Sequence, residues 1–488
     1  MRSAPSRLRY LFTSTRGLVL LAVGLTALVT AVWSTLSGPM VEWGVKDFVV
    51  RTLGMRLVEA EREGRIITLY HSIAFAVVAV LVYLITDLVP MRPGQRAQIN
   101  GTITVGYILA MVSGLIFGYF SRNWVFHGLF LVAQALIFYA GCLLAAALWP
   151  WGREFRQADP AYARTRGGVD LERVAFFVMA VAALGSAALG AAAGAFFGNG
   201  FQSFLAEDLV REPVKTALQK AVTGHLHIML TLICIATALI IGRWFDFKGI
   251  LHKIAMPLLI AGTVVVTLGA WSVVVTPHAH TIIYVGSVLV MLAALLLVIY
   301  GWLRLIRERT AELGLTRPSP GQKLAALLYD PLRFGALWQM VYMNFVVTAV
   351  GIFMAIRLDE IFRVWPHREE RIALTGHWHA LSLLTATILL CYFADMMGLR
   401  GRIRRWFGWV LIVASDVALA GATLFSIKRL FVTEYGQQVM VNWTMLAIDF
   451  GLGAILVTLA LLLLWRLADL FRPGGRWAAE ADEEVTAE

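Results

Sequence analysis

YHSIAFAVVAVLVYLITDLVP, residues 70–90, has no formally charged side chain from Ser72 to Thr86. A helix rising about 1.5 Å per residue through such a stretch crosses a hydrocarbon core of about 30 Å. His71 then sits at one boundary and Asp87 at the other. Runs of the same character fall near 17–37, 67–89, 102–120, 125–148, 172–196, 222–242, 251–274, 279–303, 334–356, 374–397, 406–427 and 442–466. The reading predicts an all-α integral membrane protein of about twelve transmembrane helices, because only helices satisfy their own backbone polar groups in lipid without closing a barrel.

The histidines recur along that frame. His71 opens the second span, His225 and His227 the sixth, and His377 and His379 the tenth. The steps from 71 to 225 and from 225 to 377 are 154 and 152 residues. Such spacing predicts one four-helix block used three times, giving three pseudo-symmetric arcs over about 1–150, 151–305 and 325–470 in a single domain, 1–470. Residues 471–488 read as an acidic, disordered cytoplasmic tail.

Apolar residues make up 59% of the 488, and the mean hydropathy is +0.73; soluble domains stay nearer half apolar. Arginine and lysine cluster at Arg2–Arg16, Arg153–Arg166, Arg304–Lys323 and Arg400–Arg405, all on one side of a twelve-span chain. Short cytoplasmic loops carry that excess, so both termini are expected in the cytoplasm of a bacterial-type cell, with the chain in its cytoplasmic membrane. The net charge of +11 follows from these loops. It points to membrane lipid as the acidic partner and away from nucleic acid. Cys142, Cys234 and Cys391 lie in separate spans without CxxC or CxxCH spacing, which excludes a disulfide framework and covalent c-type haem attachment.

Segment 38–65 has apolar residues at helical spacing with charges between them. It reads as an amphipathic helix on the outer surface, either a docking site for a further subunit or a connecting helix; 200–221 and 359–371 read similarly. With the amino terminus inside, His71, His127, His225, His227, His377 and His379 all fall in outer first turns of even helices. His278 and His280 lie in the outer link into the eighth, and His252 and His367 read as loop residues. Acidic groups within helices are read as Asp87, Asp395, Asp416 and Asp449. Ionisable side chains at membrane depth are costly and by default functional. Two histidines at i and i+2 point about 200° apart, so each HxH turn serves two centres. Haem or metal ligation is the expected use.

The HxH in TGHWH (375–379) on the tenth helix, the histidine opening the second, those in HLHIMLTL (225–232) on the sixth and PHAH (277–280) after the seventh together resemble the catalytic subunit of the haem-copper oxidase superfamily, which includes nitric oxide reductases. The resemblance implies His71 and His379 as axial ligands of a low-spin haem b and His377 as proximal ligand of a second haem. It also implies His225 or His227 with His278 and His280 around copper or non-haem iron, and Lys428 and Arg429 on haem propionates. Electrons would come from quinol or cytochrome c. The family's adjacent His-His is split here by Ala279, its tyrosine is replaced by at most Tyr284, and the reductase glutamate is absent from HLHIMLTL. Three expectations follow: reduction of oxygen or nitric oxide at a dinuclear centre, a membrane cytochrome b without a second metal, or a transporter with a histidine-lined cavity.

Overall fold

In the computed structural model, residues 4–37, 39–196 and 217–487 are described. Among them twelve helices are long and apolar enough to cross a membrane: α1 (Thr15–Ser34), α2 (Gly64–Leu88), α3 (Pro93–Tyr119), α4 (Trp124–Ala147), α5 (Leu171–Gly194), α6 (Lys220–Trp244), α7 (Ile250–Ser272), α8 (Ala279–Glu312), α9 (Pro331–Ile356), α10 (Ile372–Met396), α11 (Gly401–Leu430) and α12 (Gly436–Phe471). The described regular structure is otherwise short helices and one isolated bridge between Arg164 and Asp170. The chain is thus a multi-pass helical membrane protein, with lipid-facing apolar side chains such as Leu461 and Phe450 left exposed.

Each helix packs on its neighbour in sequence, and α12 packs back on α1, closing a ring. Inside the ring, α6 packs on both α2 and α10. Between lipid-bathed helices no hydrophobic force selects a partner, so small residues that admit close backbone approach decide the contacts. They do so at α3–α4, α7–α8 and α11–α12: a Cβ on Gly106 would stand 3.2 Å from the Ile137 nitrogen, one on Gly262 2.9 Å from the Val290 nitrogen, and one on Gly421 2.9 Å from the Thr444 oxygen. A π-helical stretch, Tyr342–Val347, interrupts α9 beside α10.

Several surface expectations change. The tail forms a helix, Arg476–Ala487, in which Trp477 is 2% exposed and meets Tyr10 edge-on at 5.8 Å. Trp477, Ala478 and Ala481 supply an apolar strip that the acidic composition conceals. Arg7 donates to the Leu470 carbonyl at 2.9 Å, so the two ends of the chain are clasped together at one end of the bundle. A short helix spans Val45–Leu53 with Phe48 exposed. Most of 200–221 lies outside the described residues. Segment 359–371 begins in a π-helical turn, Leu358–Phe362, and runs into the helix that carries α10.

Gly262→Val is expected to lower stability by ~2 kcal/mol through overpacking, read as a fall in the thermal midpoint of the purified protein. Gly128→Ala, where nothing lies within 4 Å of the added carbon, is expected to cause no loss.

Candidate functional site

His71, His225, His227, His377 and His379 sit near the amino-terminal ends of α2, α6 and α10, and the structure brings these ends together. Three imidazoles are tied by one nitrogen. Nδ1 of His71 bonds the Ile67 carbonyl, Nδ1 of His227 the Thr223 carbonyl, and Nδ1 of His225 the Ser186 carbonyl of α5, each at 2.8 Å. A carbonyl only accepts, so each Nδ1 carries the proton and each neutral ring presents Nε2 as its lone-pair nitrogen.

Between α2 and α6 the rings of His71 and His225 face each other with centres 6.4 Å apart and planes inclined by 11°. Between α6 and α10 the rings of His227 and His377 are 6.0 Å apart at 34°. Trp378 donates its indole N–H to His227 Nε2 at 3.1 Å. His377 Nδ1 is buried and makes no well-aligned hydrogen bond, with the Leu374 backbone its nearest polar group. Between α10 and α2, the Tyr70 hydroxyl lies 2.8 Å from His379 Nε2.

The pairing reveals a common register. Thr68-Leu69-Tyr70-His71, Gly224-His225-Leu226-His227 and Gly376-His377-Trp378-His379 occupy corresponding turns. The first histidine of one helix meets the second of the preceding one: His225 meets His71, and His377 meets His227. In the first helix Leu69 stands where the others have histidine, and Tyr70 serves the third cleft. The leading glycines have a packing reason. A Cβ at Gly224 would lie 2.7 Å from the Ala270 oxygen of α7, and one at Gly376 would collide with Ser426 of α11. In the first turn the roles reverse, with Thr68 on α2 against Gly118 of α3. Gly190 of α5 is required too, since a Cβ there would overlap the His225 ring.

The pairing differs from the one implied by the resemblance: His71 faces His225 across the α2–α6 cleft, while His379 bonds Tyr70. His278 and His280, at the start of α8, are exposed, with the His280 ring 6.4 Å from Tyr284. They are not gathered with His225 or His227; among the described residues no three His, Cys, Asp or Glu side chains are grouped so that they could hold a metal ion. The reason is local, since His278 and His280 flank Ala279, which is 1% exposed and takes the inward position.

Lys428 is 3% exposed, pairs with Glu369 and lies over the Phe425 ring, so its charge is already matched within the protein. Arg429 is half-buried beside it. His127 packs between Phe117 and Trp124 at 5.3 and 5.5 Å. Asp416 accepts the Trp338 indole N–H at 3.0 Å and the Gln339 amide N–H at 2.9 Å, which fixes α11 against α9.

Some residues escaped the sequence reading. Tyr70, Ser186, Gly190 and Trp378 act on histidines through neighbouring helices; of these, only Tyr70 and Trp378 carry a sequence signal, adjacency to a ligand-type histidine. His252, read as a loop residue, lies in the first turn of α7 and is 0% exposed. Glu172, in the first turn of α5, joins the acidic groups within helices and is 3% exposed.

Compared with known proteins, the chain matches no family model and no curated sequence.

The hydrogen bonds fix opposite tautomers at the two ends of the bundle. His71, His225 and His227 are held as Nδ1–H, whereas His252 Nδ1 accepts the Ala163 amide N–H at 2.9 Å and must carry its proton on Nε2. Solid-state NMR of the ¹⁵N-histidine-labelled, metal-free protein is expected to show Nδ1–H for the first three and Nε2–H for His252, each assigned by single His→Gln substitution.

Proposed function

We propose that this chain is a haem-bearing respiratory oxidoreductase of a bacterial-type cytoplasmic membrane, built like the catalytic subunit of the haem-copper oxidase superfamily. The observation that carries the reading is the His71–His225 pair. Two imidazoles holding one ion at metal–nitrogen bonds of about 2.0 Å would have ring centres on the order of 6 Å apart; the His71 and His225 ring centres are 6.4 Å apart and both Nε2 atoms are unprotonated. Ligating histidines characteristically donate the other ring nitrogen to a carbonyl, as His71 and His225 do. His71 and His225 would hold one haem b, and His227 with His377 would offer a second imidazole pair. Haem supplies reversible one-electron chemistry.

The residues around these imidazoles hold and orient them. Ile67 and Ser186 fix ring rotation, Gly190 gives the His225 ring its seat, and Phe75, centred 5.6 Å from the His71 ring, excludes water from that flank. Three pseudo-symmetric arcs, α1–α4, α5–α8 and α9–α12, are supported by the repeated register, by the glycine-lined contact of the last two helices in each group, and by α6 packing on α2 and α10. Quinol or cytochrome c would donate electrons near the histidine end, which the arginine-rich loops assign to the outer face, and a further subunit would dock there. Both termini would be cytoplasmic.

A second reading has specific support. The exposed His278 and His280, apart from the sixth-helix histidines, favour a cytochrome b that passes electrons between quinol and a partner without a second metal. Reduction of oxygen or nitric oxide needs copper or non-haem iron beside the second haem, and only a different arrangement of that link would supply it. A transporter is the third reading; the histidines sit near one surface rather than at the midplane where transport sites form.

Haem b per chain by pyridine haemochrome, with copper and iron counted on the same sample, tests this directly. Two haems with one further metal are expected for the oxidase or reductase, and two haems alone for the cytochrome. His71→Ala and His225→Ala are each expected to remove about half of the haem and the low-spin signal, with His278→Ala leaving both intact. Haem-free wild-type protein would overturn the proposal.

A further inference from the structure

At the end of the bundle opposite the histidine cluster, three helix ends bury a second polar group. Arg243, in the last turn of α6, places Nε 3.0 Å from Glu172 Oε2, yet that nitrogen makes no aligned hydrogen bond; its Nη2 lies 3.7 Å from Asp170 Oδ2. His252 Nε2 carries a proton, is buried without a hydrogen-bond partner, and stands 3.9 Å from the same Glu172 oxygen. Among the described residues, no side chain donates an aligned hydrogen bond to the Glu172 carboxyl. A small cavity adjoins it, lined by Leu239, Phe247, Met256 and Leu297, with Glu172 the one ionisable side chain on its wall.

We propose that Glu172 is a proton-uptake group, loading protons from the arginine-rich side of the membrane into a path along α7. A structural ion pair at this burial demands aligned hydrogen bonds to repay desolvation. Here Arg243 and His252 approach one oxygen without making them, so the carboxyl group can hold a proton or an ion pair at comparable cost. Arg243 and His252 both address Oε2; the proton is taken at Oε1, from water. It would leave to a water entering the cavity, and the carboxylate re-forms against Arg243, one proton in and one out.

The surrounding charges suit this. Asp170, just before α5, lies by Arg243, with Arg173 of α5 near both and bonded to the Trp149, Pro90 and Ala147 carbonyls; Asp246 and Lys248 stand on the α6–α7 link, Arg304 and Glu308 on α8, and Tyr162 in the α4–α5 loop. Burial pushes the Asp246 carboxyl up, but hydrogen bonds from Lys248 and Tyr162 outweigh it and hold Asp246 below the usual carboxylate range. Asp246 therefore stays an anion and attracts protons without carrying them. Tyr162 is pushed up to about 12 by burial and the Asp246 carboxylate, and remains a phenol.

Beyond the cavity, α7 presents Met256, Leu259, Thr263, Thr267 and Trp271 at helical spacing. Thr263 is 1% and Thr267 3% exposed, and Thr267 Oγ1 has no hydrogen-bond partner. Trp271 donates to Ser186 Oγ at 3.0 Å, and the Ser186 carbonyl holds His225. From His252 to Trp271 the helix advances about 28 Å. Thr263, whose hydroxyl donates to the Leu259 carbonyl, and Thr267 are the buried hydroxyls on this length, and the proposed path would run past them, by way of water, towards the histidine cluster; that destination rests on the haem reading.

Infrared spectra of the purified full chain, titrated with pH, test Glu172 without any haem. A carboxylic C=O band that appears on acidification is expected in the wild type, lost in Glu172→Gln and retained, shifted, in Glu172→Asp. An unchanged band in Glu172→Gln would overturn the proposal, and Glu172→Asp keeps the test open if the glutamine variant fails to fold. In vesicles carrying the haem-loaded protein with a trapped pH dye, reduction is expected to draw protons from the arginine-rich side at least tenfold more slowly in Thr267→Val than in wild type or in Thr458→Val of α12. Equal rates would overturn the path. A haem-free protein fails the oxidoreductase reading and leaves the infrared result standing.

Discussion

An imidazole at the end of a membrane helix has two nitrogens to satisfy and few partners, and how the first is satisfied decides what the second can do. His71 and His227 spend their N–H on the carbonyl one turn back, a bond within their own helix. His225 instead reaches across to Ser186 of α5, which ties its orientation to the spacing of two helices. A side-chain bond to the carbonyl one turn back satisfies the N–H within the same helix and leaves Nε2 as the unprotonated nitrogen. The glycines and the helix contacts set how close the ring-bearing turns of neighbouring helices come.

The three clefts are not equivalent. Two carry imidazole facing imidazole; the third pairs a phenol with His379 and has Leu69 at the corresponding position. Where glycine precedes the histidines in α6 and α10, the next helix approaches closely. In α2 a threonine holds that position and the glycine moves to α3. Each contact is preserved by exchanging which partner is small, as close helix approach in lipid demands.

The sequence made the spans legible because an uncharged stretch of this length has few other uses, and the histidines stood out because ionisable side chains are costly at the edge of an apolar span. Their partners were not legible. A separation of 100° per residue gives the angle between His377 and His379 but not which neighbour each faces, since that depends on rotation of the whole helix, set by contacts such as Gly376 against Ser426. Glu172 and His252 were hidden for another reason: a polar residue at the edge of an apolar run looks like interface, and only the meeting of three helix ends buries it. Trp477 was masked by the acidic residues around it.

The seam between α12 and α1 bears on how the molecule is made. The first helix enters the membrane before its final neighbour has been synthesised, and the Tyr10–Trp477 contact joins residues separated by almost the entire chain. Long-range closures of this kind are slow, because the loop entropy is lost before the contact returns anything. Until α12 has been made, α1 has one flank open to lipid or to an insertion factor. The clasp of Arg7 on the Leu470 carbonyl therefore cannot form until α12 has been made.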